Sequence, residues 1–259
     1  MCARCVRLIL TLLLLAGCKP VTITTALPAT ATQPKPTRTP APTQTLASSN
    51  PTPELAAYAF PESIDPDKHY LFYLHGKIVE DQGIHAVSKT YGEYEYEAIL
   101  DKLKSYDFIV ISERRPKNAG LIYANIIMAQ INQLLEAGVP PENITVMGAS
   151  KGAYFAATIS HLLKNPKINF ILLGFCDPNT VEEMRQNQAY LYGNVLAIYD
   201  YADDLAGSCQ ELFTASEGNG ITQYDEIVLH IGTGHGILYK PLDEWVIPSV
   251  EWARGGSVP

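Results

Sequence analysis

The residues with the clearest chemical potential are Gly148-Ala149-Ser150-Lys151-Gly152, a G-x-S-x-G pattern. It follows the β-branched run Ile144-Thr145-Val146 and precedes Ala-rich helical sequence. A serine at such a strand–turn–helix reversal projects its hydroxyl above the strand end. The flanking glycines remove side chains that would meet the neighbouring strand and helix. The hydroxyl becomes a nucleophile if a base takes its proton and a third group orients the base. Two of the six histidines, His230 and His235, fall in the last predicted strand and the loop after it. His235 lies in the glycine-rich loop Gly232-Thr233-Gly234-His235-Gly236 and is the expected base. His230, inside Ile227 to Ile231, reads as a packed residue of the last strand. Asp203, a few residues past the run Val195–Tyr199, is the expected acid. Asp177 is the second choice, Asp200 stands close to the strand, and Asp204 reads as a cap of the next helix.

Developing negative charge on an acyl oxygen needs two backbone N–H donors. Lys151, directly after the serine, supplies one. The loop Leu74-His75-Gly76-Lys77 supplies the other, from Lys77 in preference to Gly76. His75 is expected to pack and hydrogen-bond within its loop. No His, Cys or Asp spacing resembles a zinc site, and no cofactor is expected. A dinucleotide-binding turn is the rival reading of Gly148–Gly152, but Tyr154 stands where a third glycine would be needed, and a Walker lysine–serine pair is missing. Lys77, Lys151, Arg114 and Arg115 together predict a positive mouth that favours acyl groups bearing a carboxylate. The competing reading pairs them with Glu80, Asp81 or Glu113.

The elements that must position these groups alternate along the chain. Strands are predicted at 69–75, 107–112, 143–147, 168–173, 195–199 and 226–231. Helices are predicted at 94–105, 119–137, 151–163, 181–188, 206–215 and 242–253. Near-continuous apolar strands separated by helices predict an α/β fold, a three-layer αβα sandwich with a mostly parallel sheet. Ligands of such sheets bind beyond the carboxyl ends of the strands, where Ser150 falls.

A strand followed by His-Gly, the Gly-x-Ser-x-Gly turn, an aspartate loop and a Gly-His-Gly loop, in that order, resemble the α/β-hydrolase family over about residues 58–253. Small esterases and dienelactone-hydrolase-like members are of similar size, and no insertion after 168–173 suggests a lid. The resemblance implies a serine hydrolase acting on a small ester or thioester through an acyl-serine. An acyltransferase or a non-catalytic binding protein on the same fold are the alternatives. Lysine at 77 and 151 departs from the small or apolar residues more usual at those positions in the family.

Residues 1–17 read as a signal peptide, with Arg4 and Arg7, an apolar run at 8–15, and Leu15-Ala16-Gly17-Cys18 resembling the bacterial lipobox. That resemblance implies a lipidated Cys18 and an extracytoplasmic protein anchored to a bacterial membrane. Residues 18–55 hold eight of the 18 prolines among Thr, Ala and Ser and read as a disordered tether. Residues 56–259 form the expected domain. A formal charge of −8 argues against nucleic acid as a partner. Of the five cysteines, Cys176 and Cys209 remain for a disulfide between the loops after 168–173 and 195–199.

Overall fold

The computed structural model describes residues 57–256, so the signal peptide, the 18–55 tether and Cys18 lie outside the described residues. Along the chain run β1 (His69–Leu74), α1 (Lys77–Gln82), β2 (Val87–Ser88), β3 (Gly92–Glu93), α2 (Tyr96–Lys104), β4 (Phe108–Ile111) and α3 (Leu121–Glu136). Then follow β5 (Ile144–Ala149), α4 (Lys151–Leu163), β6 (Asn169–Leu173), α5 (Pro178–Gln186), β7 (Gly193–Asp200), α6 (Gln210–Ser216), β8 (Ile221–Leu229) and α7 (Asp243–Ala253). Six strands form one sheet in the order β4-β1-β5-β6-β7-β8, every neighbouring pair parallel. β2 and β3 form a separate antiparallel pair inside the β1–β4 crossover.

Strand periodicity sends alternate residues to opposite faces, and here both faces are covered. Tyr70, Phe72, Leu74, Ile144 and Val146 pack with α3, α4, α5 and α6 through residues such as Ile127, Phe155, Val181 and Phe213. Leu71, Tyr73, Met147, Ile171 and Leu196 pack with α1, α2 and α7 through Val79, Leu100, Trp245 and Trp252. The result is the three-layer sandwich. The β6–β7 connection carries only α5 as regular structure, with no lid domain.

Three expectations change. The last strand runs Ile221–Leu229, and only Leu229 in it is buried, because β8 is an edge strand with half-exposed faces. His230 therefore lies past the strand, exposed, with its ring 5.1 Å from that of Tyr201. The helix expected from 206 begins at Gln210, since the backbone before it is engaged elsewhere: Gly207 N–H donates to the Phe175 carbonyl and Cys209 N–H to Glu226. Asp204 consequently caps no helix and is exposed in the loop.

Candidate active site

Ser150 joins β5 to α4 with φ 53° and ψ −118°, a conformation that L-residues avoid and that persists only where the surroundings impose it. Its glycines are sterically required. A Cβ on Gly148 would lie 2.2 Å from the Gly152 carbonyl oxygen, and one on Gly152 would lie 1.8 Å from that of Leu74. The start of α4 is thus pressed against the end of β1. The Ser150 N–H donates to the Leu173 carbonyl at 2.8 Å, which occupies it and leaves the next N–H, that of Lys151, as the donor of this turn.

On the β1 side, Gly76 faces the serine: a Cβ there would lie 3.9 Å from Ser150 Cβ. Lys77 is the first residue of α1 and Lys151 the first of α4, positions whose N–H groups have no partner within their own helix. His75 is fully buried; its Nδ1–H donates to the Gly76 carbonyl and its Nε2 accepts from the Arg115 N–H. Burial, with the Arg115 charge nearby, pulls its pKa down to about 3, so the ring is neutral and structural. Tyr94 also lies against Gly76, 3.8 Å from where a Cβ on that glycine would stand, and its hydroxyl bonds that of Tyr73 at 2.7 Å. Its own hydroxyl is pushed up to about 12 by burial, opposed by hydrogen bonds from Tyr73 and the Gly76 backbone.

The acid and base sides meet after β7 and β8. His235 Nδ1 lies 2.8 Å from Asp203 Oδ2, with both residues buried. An ionised carboxylate only accepts, so Nδ1 carries the proton and Nε2 is left with its lone pair. The imidazole packs on Gly174: a Cβ there would meet His235 Cε1 at 3.2 Å and Leu238 Cδ1 at 2.9 Å. Gly174 follows Leu173, the residue that receives the Ser150 N–H, so base and serine flank the same short turn. Asp177, the second choice for the acid, instead caps α5, its Oδ1 accepting from Asn179 and Thr180 N–H.

Asp200 has a different task. It is fully buried, and its Oδ1 accepts from Ala202 and Gly234 N–H, its Oδ2 from Ile231 and Gly232 N–H. One carboxylate thereby holds both the turn that presents Asp203 and the loop that presents His235. Burial opposes its charge, but the four N–H bonds outweigh burial and keep its pKa below the ordinary value. The Cys176 and Cys209 sulfurs are bonded, joining the loop after β6 to the start of α6 across neighbouring strands.

The expected positive mouth is not there. Lys77 pairs with Asp81, while Lys151 Nζ and Arg115 Nε each bond the buried Glu80 at 2.7 Å. Asn118 N–H completes that carboxylate, and Arg114 is exposed. Charges adjacent in sequence to the donors are neutralised by acids of the same α1 segment.

No protein-family model matches the chain, and no curated protein matches its sequence. Among solved structures it is similar to one from a study of two fungal esterases from Rhizomucor miehei. The TM-score is 0.52 at 15% identity, covering 75% of this chain and 77% of that one. The chain has the α/β-hydrolase fold. Looser likenesses are to an esterase/lipase from an uncultured bacterium (TM-score 0.47, 12% identity, 73% of this chain and 77% of that one) and to an arylesterase (0.45, 15%, 75% and 77%).

On this hydrolase fold, Ser150, Asp203, His235 and the two lysine N–H positions all fall at the carboxyl edge of the sheet. Sequence reasoning named Glu80 only as a competing partner of the nearby cations and missed its linking role, Gly174 and the role of Asp200. Asp200 had a signal, an acidic residue closing an apolar strand. Glu80 had only its charge as a signal, because α1 is too short for periodicity to show that the residue is buried.

Proposed function

We propose that the protein is a serine hydrolase that cleaves a small ester or thioester. The observation that carries this reading is the buried 2.8 Å Asp203–His235 bond beside a serine held at positive φ between two glycines. His235 Nε2 takes the Ser150 proton as Oγ attacks the acyl carbon. The N–H groups of Lys77 and Lys151 receive the oxyanion, and Asp203 stabilises the imidazolium. Collapse breaks the acyl–oxygen or acyl–sulfur bond, His235 returning its proton to the leaving group. Water, deprotonated by His235, then releases the acid and restores the serine.

The test is covalent labelling by a fluorophosphonate, which reports an activated serine whatever the natural substrate. Wild-type protein labels; Ser150→Ala abolishes labelling and His235→Ala nearly does. Folded wild-type protein that never labels transfers the fold to the binding-protein reading. Product analysis with and without an added alcohol separates hydrolysis from acyl transfer.

The same proposal places the domain outside the cytoplasm, anchored through a lipidated Cys18 and spaced from a bacterial membrane by residues 18–55. The Cys176–Cys209 bond supports an oxidising compartment. Mass spectrometry of the membrane fraction, with Cys18→Ser as the control, tests the anchor: loss of the acylated N-terminal peptide in the variant is expected, and its absence from wild type removes the anchor.

A further inference from the structure

An oxyanion hole requires both donors within about 2.7–3.1 Å of the developing charge, and a misplacement of about 1 Å costs on the order of 10²-fold in rate. Here the two donors sit on separate elements, the first residues of α1 and α4. The α4 donor is fixed by its surroundings, with Gly152 against Leu74 and the Ser150 N–H on Leu173. The α1 donor sits on a six-residue helix with no side-chain cap, far too short to be stable by itself.

We propose that Glu80 and Lys151 form a positioning pair that sets the spacing of the two oxyanion donors. The inference rests on the hydrolase reading above. Glu80 lies one turn along α1 from Lys77, and no part of its side chain reaches solvent. Its Oε1 accepts from Lys151 Nζ and from the Asn118 N–H, each at 2.7 Å, and its Oε2 accepts from Arg115 Nε at 2.7 Å. Arg115 is itself immobilised, buried beside the Tyr123 and Phe155 rings. Three elements therefore converge on one carboxylate: the helix of the first donor, the helix of the second, and the β4–α3 loop.

The composition of the cluster separates positioning from bulk stability. Arg115 gives Glu80 a fully buried counter-cation, so the carboxylate stays paired when the bond to Lys151 is removed. What Lys151 adds is the direct link between the serine turn and α1. Its side chain is 26% exposed, so the link can be cut without leaving an unpaired charge in the core. Glu80→Gln would instead strand Arg115, and its failure to fold would say nothing about spacing.

The informative variant is Lys151→Met in the full-length protein. It keeps the backbone N–H and the length of the stem, and removes the ammonium together with its cation–π contact to Phe155. We expect kcat for a p-nitrophenyl ester to fall about 10- to 100-fold with KM within about twofold, the signature of an interaction made in the transition state. Affinity for an arylboronate, which places a tetrahedral oxyanion on the serine, falls by the same ratio as kcat/KM. Lys151→Arg restores most of both, because a guanidinium still reaches Glu80, while Lys151→Met loses some urea resistance but is fully folded in assay buffer. A Lys151→Met enzyme with wild-type kcat and boronate affinity overturns the positioning role. So does a loss that Lys151→Arg fails to rescue. Failure of the wild-type protein to react with fluorophosphonate is a different result: it removes the hydrolase reading itself.

Discussion

On the acid–base side of Ser150, the buried carboxylate of Asp200 is satisfied entirely by backbone: four N–H groups from the two turns that carry Asp203 and His235. On the nucleophile side, the equally buried Glu80 is satisfied mostly by side chains, two cations and one N–H drawn from α4 and the β4–α3 loop. Backbone donors cannot titrate or change rotamer, so the first arrangement fixes loop shape directly. Side-chain cations reach farther, which lets Glu80 join elements that no backbone hydrogen bond spans. A hydrogen-bonded acid–base pair depends on the conformation of two loops, whereas an oxyanion hole depends on the distance between two helices. Each half carries the anchor suited to its own requirement.

The sharpest test of this contrast sets Asp203 against Asp200. Asp203→Asn keeps the loop conformation and costs on the order of 10⁴-fold in fluorophosphonate labelling rate, as the loss of an orienting carboxylate does in serine triads. Its urea midpoint remains near wild type. An exchange of outcomes, with Asp203→Asn unfolding and Asp200→Asn folded but inert, would reverse the two assignments.

Removing the covalent link is the next largest effect. Cys176→Ser with Cys209→Ser releases a loop with a sequence separation of 33, worth about 3–4 kcal/mol of loop-closure entropy. Denaturant titration reads the loss. Labelling of the remaining folded protein should stay close to wild type, because Asp200 still holds the acid and base loops. A collapse of labelling at full folding would mean that the disulfide, not Asp200, organises that half.

Asp200→Asn replaces an acceptor oxygen by an N–H₂ group facing N–H donors. It should cost about 2–3 kcal/mol of stability through unsatisfied buried groups. The labelling rate should fall too, since His235 loses its fixed loop. Stability unchanged from wild type would break the comparison at its base.

Acid titration distinguishes the halves without large structural damage. The folded-state pKa of His75 is about 3, below its ordinary 6.5, so the unfolded chain binds the proton first and stability declines as pH falls from about 6.5 toward 3. Burial raises the pKa of Glu80, but its bonds to Lys151 and Arg115 bring it down to about 2 from 4.5. Its contribution is complete above about pH 4.5 and is lost toward pH 2. Asp200, held below its ordinary 3.8, also contributes only to the lower part of the titration. The His75 share of the first loss on acidification therefore belongs to the nucleophile half, and His69 at the far end of β1, also lowered by burial, adds to the same window. Urea midpoints measured from pH 7 to 4 should slope downward in wild type and less steeply in His75→Gln, where the His69 share remains. An unchanged slope in that variant assigns the early loss elsewhere.

The smallest expected effect is that of Lys77→Ala. Its pair with Asp81 is solvent-exposed, its backbone donor is retained, and exposed pairs contribute about 0.2–1 kcal/mol. A stability or rate change well beyond that would mean that the Lys77 side chain, and not only its N–H, belongs to the site.

The sequence by itself determined the layer architecture, the serine turn and the loops that hold Asp203 and His235. Each of these is written in local signals: apolar runs of strand length, helical periodicity between them, and glycines where a side chain cannot fit. The choice between Asp203 and Asp177 was only partly legible, because both follow strands. Tertiary structure resolved the geometry by engaging Asp177 as a helix cap and bringing Asp203 against the imidazole. His230 was misplaced because the edge position of β8, and hence its exposure, follows from strand order and not from the residues of the strand. For Glu80 the sequence offered a pairing with nearby cations, but neither its burial nor the elements it joins. Its three partners stand 35, 38 and 71 residues away, and those of Asp200 on the His235 loop stand 31 to 34 away. A buried carboxylate takes its function from whatever donors the fold places around it. No local pattern records donors contributed by other strands and helices, so only the folded chain decided which acid anchors which half of the site.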